Sequence, residues 1–299
     1  MNQHSAFHAS LALAFALGFS ADAGAASFYS ISDAYAGPFL GTSYGWDVSG
    51  DGTTVVGNAQ IGQEVTYPEF PGYSFVEYSQ SAFRWRIGSS LELLPFSNAT
   101  GASYDGSVIV GERYRWSQAG GAQDLGQLGS GGATAAYGVS ADGSVVVGFS
   151  DGPNGREAYR WTEAGGMQGL GFLPATNNLS RAEAVSADGS VVVGGGYGGA
   201  FLWTESTGMT SLASVGPLNQ PFQGWPNGIS ADGTTVVGQS PEAWFWTEGG
   251  GLQYLGFNQA VYDASGDGSV IVGGDMWSSS GGVAFIYDAV HGTRVLKTL

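Results

Sequence analysis

Six aspartates, Asp51, Asp105, Asp142, Asp188, Asp232 and Asp267, each stand before a glycine, at intervals of 54, 37, 46, 44 and 35 residues. Carboxylates repeated on successive structural units have two chemical uses: together they can ring a cation, or each can bind the amide and hydroxyl groups of its own turn. The surroundings favour the second. Each pair lies between two apolar runs and is followed by Ser or Thr and a Val/Ile run ending in Gly, as in Ser140-Ala-Asp-Gly-Ser-Val-Val-Val-Gly148. Asp-Gly in that setting signals a type I′ hairpin turn, because glycine tolerates positive φ and Asp is among the few residues that join it there. We expect six structural turns and no metal site.

Other chemistry is thinly supplied. The chain has no cysteine, which removes disulfides, thiol catalysis and Cys-based metal sites. His4 and His8 fall in a segment read below as a leader, so His291, in a predicted turn, stands alone. One imidazole builds neither a zinc site nor a Ser-His-Asp triad. Lys297 is the only lysine, so there is no Walker-type loop, and the glycine-rich stretch 194–199 follows a strand without opening a helix. No cofactor is expected. Arg84, Arg115 and Arg160 each precede Trp at equivalent places and read as residues that stack or pair within the scaffold. Nine basic against 25 acidic residues give a net charge of −16, which repels phosphate backbones and anionic headgroups and excludes nucleic acid as a partner.

What remains is aromatic rings interspersed with carboxylates. The longest departure from the repeat, Asn58 to Ser81, carries Tyr67, Phe70, Tyr73, Phe75 and Tyr78 with Glu64, Glu69 and Glu77; Trp225 and Trp277 stand in other long connections. Rings beside hydroxyls and carboxylates suit stacking and hydrogen bonding to a polysaccharide, and equally to a surface protein. A carboxylate pair at the right separation would instead allow glycoside hydrolysis. A non-catalytic binding or cell-surface protein is thus one reading, and an extracellular carbohydrate-active enzyme the other.

The elements that must position these groups repeat with the Asp-Gly pairs. A second phrase follows each first, as in Ala158-Tyr-Arg-Trp161, and a third follows that, as in Met167-Gln-Gly-Leu-Gly171. Each unit offers four short β-branched and aromatic runs separated by Gly, Asp, Asn and Pro, which read as strands a (third phrase), b (before Asp-Gly), c (Val-rich) and d (Arg-Trp). No convincing helical period appears. The fold class is therefore all-β, a β-propeller-like toroid of six four-stranded repeats, with seven blades or an open β-solenoid as alternatives. Phe28 to Ile31 or Arg294 to Leu296 is expected to complete the sheet begun by the other terminus. In an up-and-down sheet the short b–c and d–a turns share one face; the long a–b and c–d connections share the other, where binding residues are displayed.

Glycine at 52 of 299 residues suits this many turns, and 11% charged residues is well below the usual quarter. The apolar run Phe7 to Phe19, followed by the small residues Ala21 to Ala26, reads as a secretory signal peptide over residues 1–25, too short to span a bilayer with margin. Residues 26–299 form the repeat domain, expected to be exported as a monomer without later membrane insertion. The consensus G-x-S-x-D-G-S-x-V-V-G, then A-F-R-W-T and G-G-M-x-x-L-G, seen almost without a gap over Tyr137 to Phe172, resembles the HAF family of extracellular repeat proteins. That resemblance covers roughly Ser27 to Leu299; it implies secretion and a propeller-like fold, and carries no general biochemical activity. N-terminal sequencing of exported material is expected to start at Ala26 or Ser27, whereas a cytoplasmic product beginning at Met1 would contradict the leader.

Overall fold

The computed structural model describes residues 40–66, 69, 74–174, 178–212, 224–240, 242–256, 260–274 and 284–296. They contain no helix long and apolar enough to cross a membrane. The 24 strands of the described residues fall into six antiparallel sheets of four. Sheet 1 is β1 (Leu40–Val48), β2 (Thr54–Thr66), β3 (Ser74–Arg86) and β4 (Glu92–Leu93). Sheet 2 is β5 (Gly101–Ala102), β6 (Val108–Gly111), β7 (Tyr114–Ser117) and β8 (Gly121–Asp124); sheet 3 is β9 (Thr134–Val139), β10 (Val145–Gly152), β11 (Gly155–Thr162) and β12 (Gly166–Gly169). Sheet 4 is β13 (Ser180–Val185), β14 (Val191–Gly196), β15 (Gly199–Thr204) and β16 (Gly208–Ser211); sheet 5 is β17 (Trp225–Ile229), β18 (Thr235–Ser240), β19 (Glu242–Thr247) and β20 (Gly251–Tyr254). Sheet 6 is β21 (Ala260–Ala264), β22 (Val270–Gly274), β23 (Ala284–Asp288) and β24 (Gly292–Leu296).

The six four-stranded units agree with the expectation, but their boundaries differ. The third-phrase strand pairs with the Arg-Trp strand before it (Tyr159 opposite Gly169, Trp161 opposite Met167), so a sheet runs b, c, d, a. Arg294 to Leu296 accordingly lies in β24, paired with its own neighbour β23, and does not complete a sheet begun at the N-terminus. Phe28 to Ile31 lies outside the described residues. The short Gly-rich d–a turns explain the boundary: they hold the third phrase next to the strand it follows before any long-range partner is available.

The Val-rich run is what joins one sheet to the next. Val145 and Val147 enter a buried cluster with Ala182, Val192 and Phe201 of sheet 4, whereas Val146 enters one with Val110 and Leu125 of sheet 2. Val192 and Val193, and Val236 and Val237, divide in the same way. A strand buried on both faces reads as a continuous apolar run, and each valine taken from water stabilises by about 1.5–3 kcal/mol. Successive b strands are further tied end to end, with Asp51 N–H donating to Tyr104 O, Tyr104 N–H to Ala141 O, Ala141 N–H to Ala187 O, Ala187 N–H to Ala231 O and Asp232 N–H to Gly266 O.

The Asp-Gly turns are not type I′. Gly143 has φ 72°, but none of the six aspartates has positive φ. Gly143 N–H closes on Ser140 O at 2.9 Å, and Asp142 Oδ1 accepts from Ser144 N–H at 2.9 Å and from the hydroxyls of Ser140 and Ser144. This is a wider turn whose Asp carboxylate mimics a backbone acceptor, and those bonds hold Asp in the ordinary φ region. The buried serine two residues before Asp accepts the N–H of the first valine, as Ser140 does from Val145 at 2.9 Å. Gly148, which closes the phrase, has its own reason: an added Cβ would lie 1.9 Å from Ala135 O, where the b strand bulges across it.

Ser186→Ala removes the acceptor of Val191 N–H and a donor to Asp188 at a site 1% exposed. It is expected to cost about 1–3 kcal/mol, seen as a lower denaturant midpoint, while exposed Ser206→Ala leaves the midpoint in place. An unchanged Ser186→Ala midpoint would contradict the clamp.

Candidate functional site

The repeat consumes most of the groups that could do chemistry. All six turn aspartates are held below the usual carboxylate range, chiefly by hydrogen bonds from flanking Ser or Thr; Asp267, bonded by Ser265 and Ser269, is drawn down to about 2. Among the described residues no cluster of three or more His, Asp or Glu is arranged to hold a metal. The arginines before Trp stack and pair, as expected. Arg84 is buried, bridges Glu92 and lies 4.7 Å from the centre of the Trp116 ring; Arg115 Nε donates to Gly143 O at 2.9 Å and Arg160 Nε to Gly189 O at 3.3 Å. The Glu92 bridge lies within sheet 1, whereas the Trp116, Gly143 and Gly189 contacts each reach the next sheet.

The segment Asn58 to Ser81 corrects an expectation, because most of it is not a loop. β2 and β3 run thirteen residues each and pair in unbroken register from Thr54 opposite Arg86 out to Thr66 opposite Ser74. The outer half is an arm projecting from sheet 1. Antiparallel partners share a face and alternate along a strand, so Glu64, Val76, Gly62, Tyr78, Gln60 and Gln80 lie on one face, and Val65, Phe75, Gln63 and Glu77 on the other. Glu64 accepts from the Ser74 hydroxyl. Glu69 is exposed in the turn; Tyr67, Phe70 and Tyr73 lie outside the described residues. Because Glu64 and Glu77 project from opposite faces, they cannot flank one glycosidic bond as acid and nucleophile. The expected connection Phe149 to Glu157 is likewise a hairpin, with Ser150 opposite Glu157 and Gly152 opposite Gly155.

The Tyr78 face continues onto β1. Tyr44 stands opposite Asn58, and the Trp46 indole N–H donates to Asn58 Oδ1. Tyr44 and Trp46 stack, with centroids 6.1 Å apart and planes 28° from parallel. The exposures are 48% for Tyr44, 57% for Trp46 and 51% for Tyr78. Trp46 was not singled out by sequence reasoning, since it occupies an ordinary position of the repeat. It is the residue skipped in the register where β1 bulges between Gly45 and Asp47, and Tyr137, Glu183, Asn227 and Tyr262 are skipped at the same place in their strands.

Two other groups line the b strands. Asp47 accepts from Val48 N–H at 2.8 Å and from Ala102 N–H of sheet 2 at 2.9 Å. Asp263 holds the equivalent place in sheet 6 and accepts from Ala264 N–H. Both are surrounded by protein even though Asp263 is open to solvent; desolvation pushes Asp47 up to about 7, with the Asp263 charge adding to the rise, and pushes Asp263 to about 6. Trp225 belongs to a ladder on sheets 3 to 5: Arg156 covers Phe149, Phe149 meets Tyr137, and Arg181 lies between the Tyr137 and Trp225 rings. Glu183, whose pKa burial raises, accepts from Arg181 and from the Trp225 indole at 2.7 Å. Trp225 is therefore engaged within the scaffold. Trp277 lies outside the described residues.

No family model matches the chain, and no curated protein matches it in sequence. Solved structures resemble it. An oligogalacturonate lyase from Vibrio parahaemolyticus aligns at 10% identity and TM-score 0.54, over 83% of this chain and 75% of that one. An oligogalacturonate lyase in complex with manganese aligns at 12% and 0.50, over 72% and 70%. TolB from Acinetobacter baumannii aligns at 12% and 0.49, over 82% of this chain but only 63% of its own, under two thirds of its length. The fold is a β-propeller, with the six sheets as its blades.

An aspartate whose folded pKa is raised contributes stability that is fully present below its ordinary pKa of 3.8 and is lost as pH rises through the folded value. Asp47 and Asp263 therefore lower stability between about pH 4 and pH 7. The thermal midpoint of Asp47→Asn/Asp263→Asn is expected to fall less than that of the wild type over this range; parallel curves would contradict the assignment.

Proposed function

We propose that this propeller is an exported, monomeric, non-catalytic binding protein of the cell surface or extracellular matrix, and that its ligand, a polysaccharide or a surface protein, engages the face from which the β2–β3 arm projects. The observation that carries this reading is the arm itself. A blade strand needs only the length that packs against its neighbours, and in sheet 1 that packing ends near Ala59 and Ala82, both fully buried. Beyond them β2 and β3 extend with Glu64, Phe75, Glu77 and Tyr78 all exposed. Exposed aromatics on a rigid, fully paired ribbon are ready to bind at little ordering cost. Export rests on the apolar leader and on the HAF resemblance.

The enzymatic reading draws on one observation, the raised pKa values of Asp47 and Asp263, since perturbed carboxylates gather at active sites. Both side chains, however, already accept backbone N–H groups, Asp47 from Ala102 of the next sheet and Asp263 from its neighbour Ala264, which supports a structural role for them.

The arm can be removed cleanly, because Gln60 and Gln80 are directly opposite: replacing residues 61–79 by Asn-Gly leaves a hairpin of native register. This variant is expected to unfold at the wild-type temperature within a few degrees and to lose glycan-array binding that the wild type shows without releasing product. Binding that survives in the folded variant, or product release by the wild type, would contradict the proposal.

A further inference from the structure

We infer that Tyr44, Trp46 and Tyr78 form a stacking platform for a neutral polysaccharide, laid along the arm on the side that looks toward sheet 2. The inference rests on the binding reading above and assigns its ligand class and contact residues.

The direction of this face follows from the core. Val56 and Ala82, on the same face as Asn58 and Tyr78, pack against Phe96, Ala99, Ile109 and Trp116 of sheet 2. Further out, sheet 2 does not follow. β6 and β7 have four residues each and are joined by Glu112-Arg113, whereas β2 and β3 have thirteen. Among the described residues the longest c–d hairpin therefore stands beside the shortest, and the platform overhangs a step.

The chemistry of the face selects the occupant. Tyr44 and Trp46 present stacked rings, and the Trp46 bond to Asn58, itself buried, fixes the indole plane before any ligand arrives. A pyranose offers a face of C–H groups that are weakly positive, which meet the negative face of an aromatic ring, and a rim of hydroxyls that seek amides and carboxylates. Here Thr42, Gln60 and Gln80 rim the rings. A protein partner calls for a dry, fully desolvated centre, whereas here Gln60 and Gln80 stand between Tyr78 and the Tyr44–Trp46 pair. A polyanion is disfavoured by charge: no Lys or Arg occurs from Gly57 to Phe83, the arm carries three glutamates, and the chain is at −16. This last point sets the arm apart from a site built for an acidic sugar.

Titration of the full mature chain against a panel of neutral β-linked oligosaccharides (gluco-, manno-, xylo- and galacto-configured), with polygalacturonate as the anionic comparison, tests the platform. At least one neutral member is expected to bind and to change the tryptophan emission. Trp46→Ala and Tyr78→Ala should each weaken it by about tenfold or more, Trp46→Phe should recover part of the loss, and Tyr104→Ala, exposed on the opposite face, should change nothing. The thermal midpoint of Tyr78→Ala should stay in place, whereas that of Trp46→Ala should fall, because the buried Asn58 Oδ1 loses its donor; affinities are therefore compared well below the onset of unfolding. Polygalacturonate binding as tightly as the neutral members, no neutral member binding, or Trp46→Ala and Tyr78→Ala retaining full affinity would overturn the inference. Retained affinity in those variants together with loss in the arm-deleted protein would leave the arm as the binding element and remove only the platform.

Discussion

The blades of sheets 2 to 5 depend on one constraint: the Val-rich strand of each is buried on both faces, between two neighbouring sheets. A strand so placed has no face left for water, so its neighbours must approach closely and its ends must be closed without exposing backbone. The serine and aspartate of the repeated phrase close one end by taking the N–H groups of the turn. The terminal glycine permits the close approach at the other, where any side chain would strike the bulged b strand. Aromatic residues of the d strand and Arg84, Arg115 and Arg160 then finish the seams. Almost every residue of the repeat is thereby committed to holding one blade to the next, which is why the repeat itself offers so little free chemistry.

Function in such a molecule is to be sought where a strand outgrows its seam. Sheet 1 is the clearest case, since β2 and β3 continue well past the last residue that packs on sheet 2. The inner Asp47 and Asp263 are a different departure. Four blades have Gly101, Gly138, Ala184 and Gly228 at the same place, where adjacent b strands run so close that a larger side chain would crowd the next strand. In sheet 1 a carboxylate spans to Ala102 instead, and its raised pKa is the electrostatic consequence of sitting among backbone with a second carboxylate nearby. The turn aspartates shift in the opposite direction because their neighbours are donors. The same side chain thus reports donor-rich turns at one end of the b strand and a crowded inner wall along it.

Much of the architecture was legible in the residues. The Asp-Gly spacing and the three ordered phrases correspond to six four-stranded sheets, and the arginines before Trp do reach across seams, Arg84 by stacking on Trp116 and Arg115 and Arg160 by donating to turn carbonyls. The turn type was not legible from Asp-Gly alone, because the pair occurs in more than one turn; Ser140 and Ser144, two residues either side of Asp142, carry the distinguishing signal. Asn58 to Ser81 was hard to recognise as a ribbon because Gln60, Gln63, Glu64, Glu77 and Ser79 are polar on both faces. Two strands that need only each other require no apolar face. Trp46 escaped notice for the opposite reason: it sits inside the repeat at a position filled elsewhere by Tyr137, Glu183 or Asn227, and only the bulge in three dimensions turns it outward.

The central claim is that a rigid scaffold carries its ligand on the ribbon of its first blade. Hydrogen exchange of the full chain with and without a bound neutral oligosaccharide tests it most directly. The account predicts added protection confined to the outer parts of β2 and β3 and to β1 around Tyr44 to Trp46, with the Asp-Gly turns of all six blades unchanged. Protection centred on those turns, or on the ladder of Arg156, Arg181 and Trp225, would contradict it.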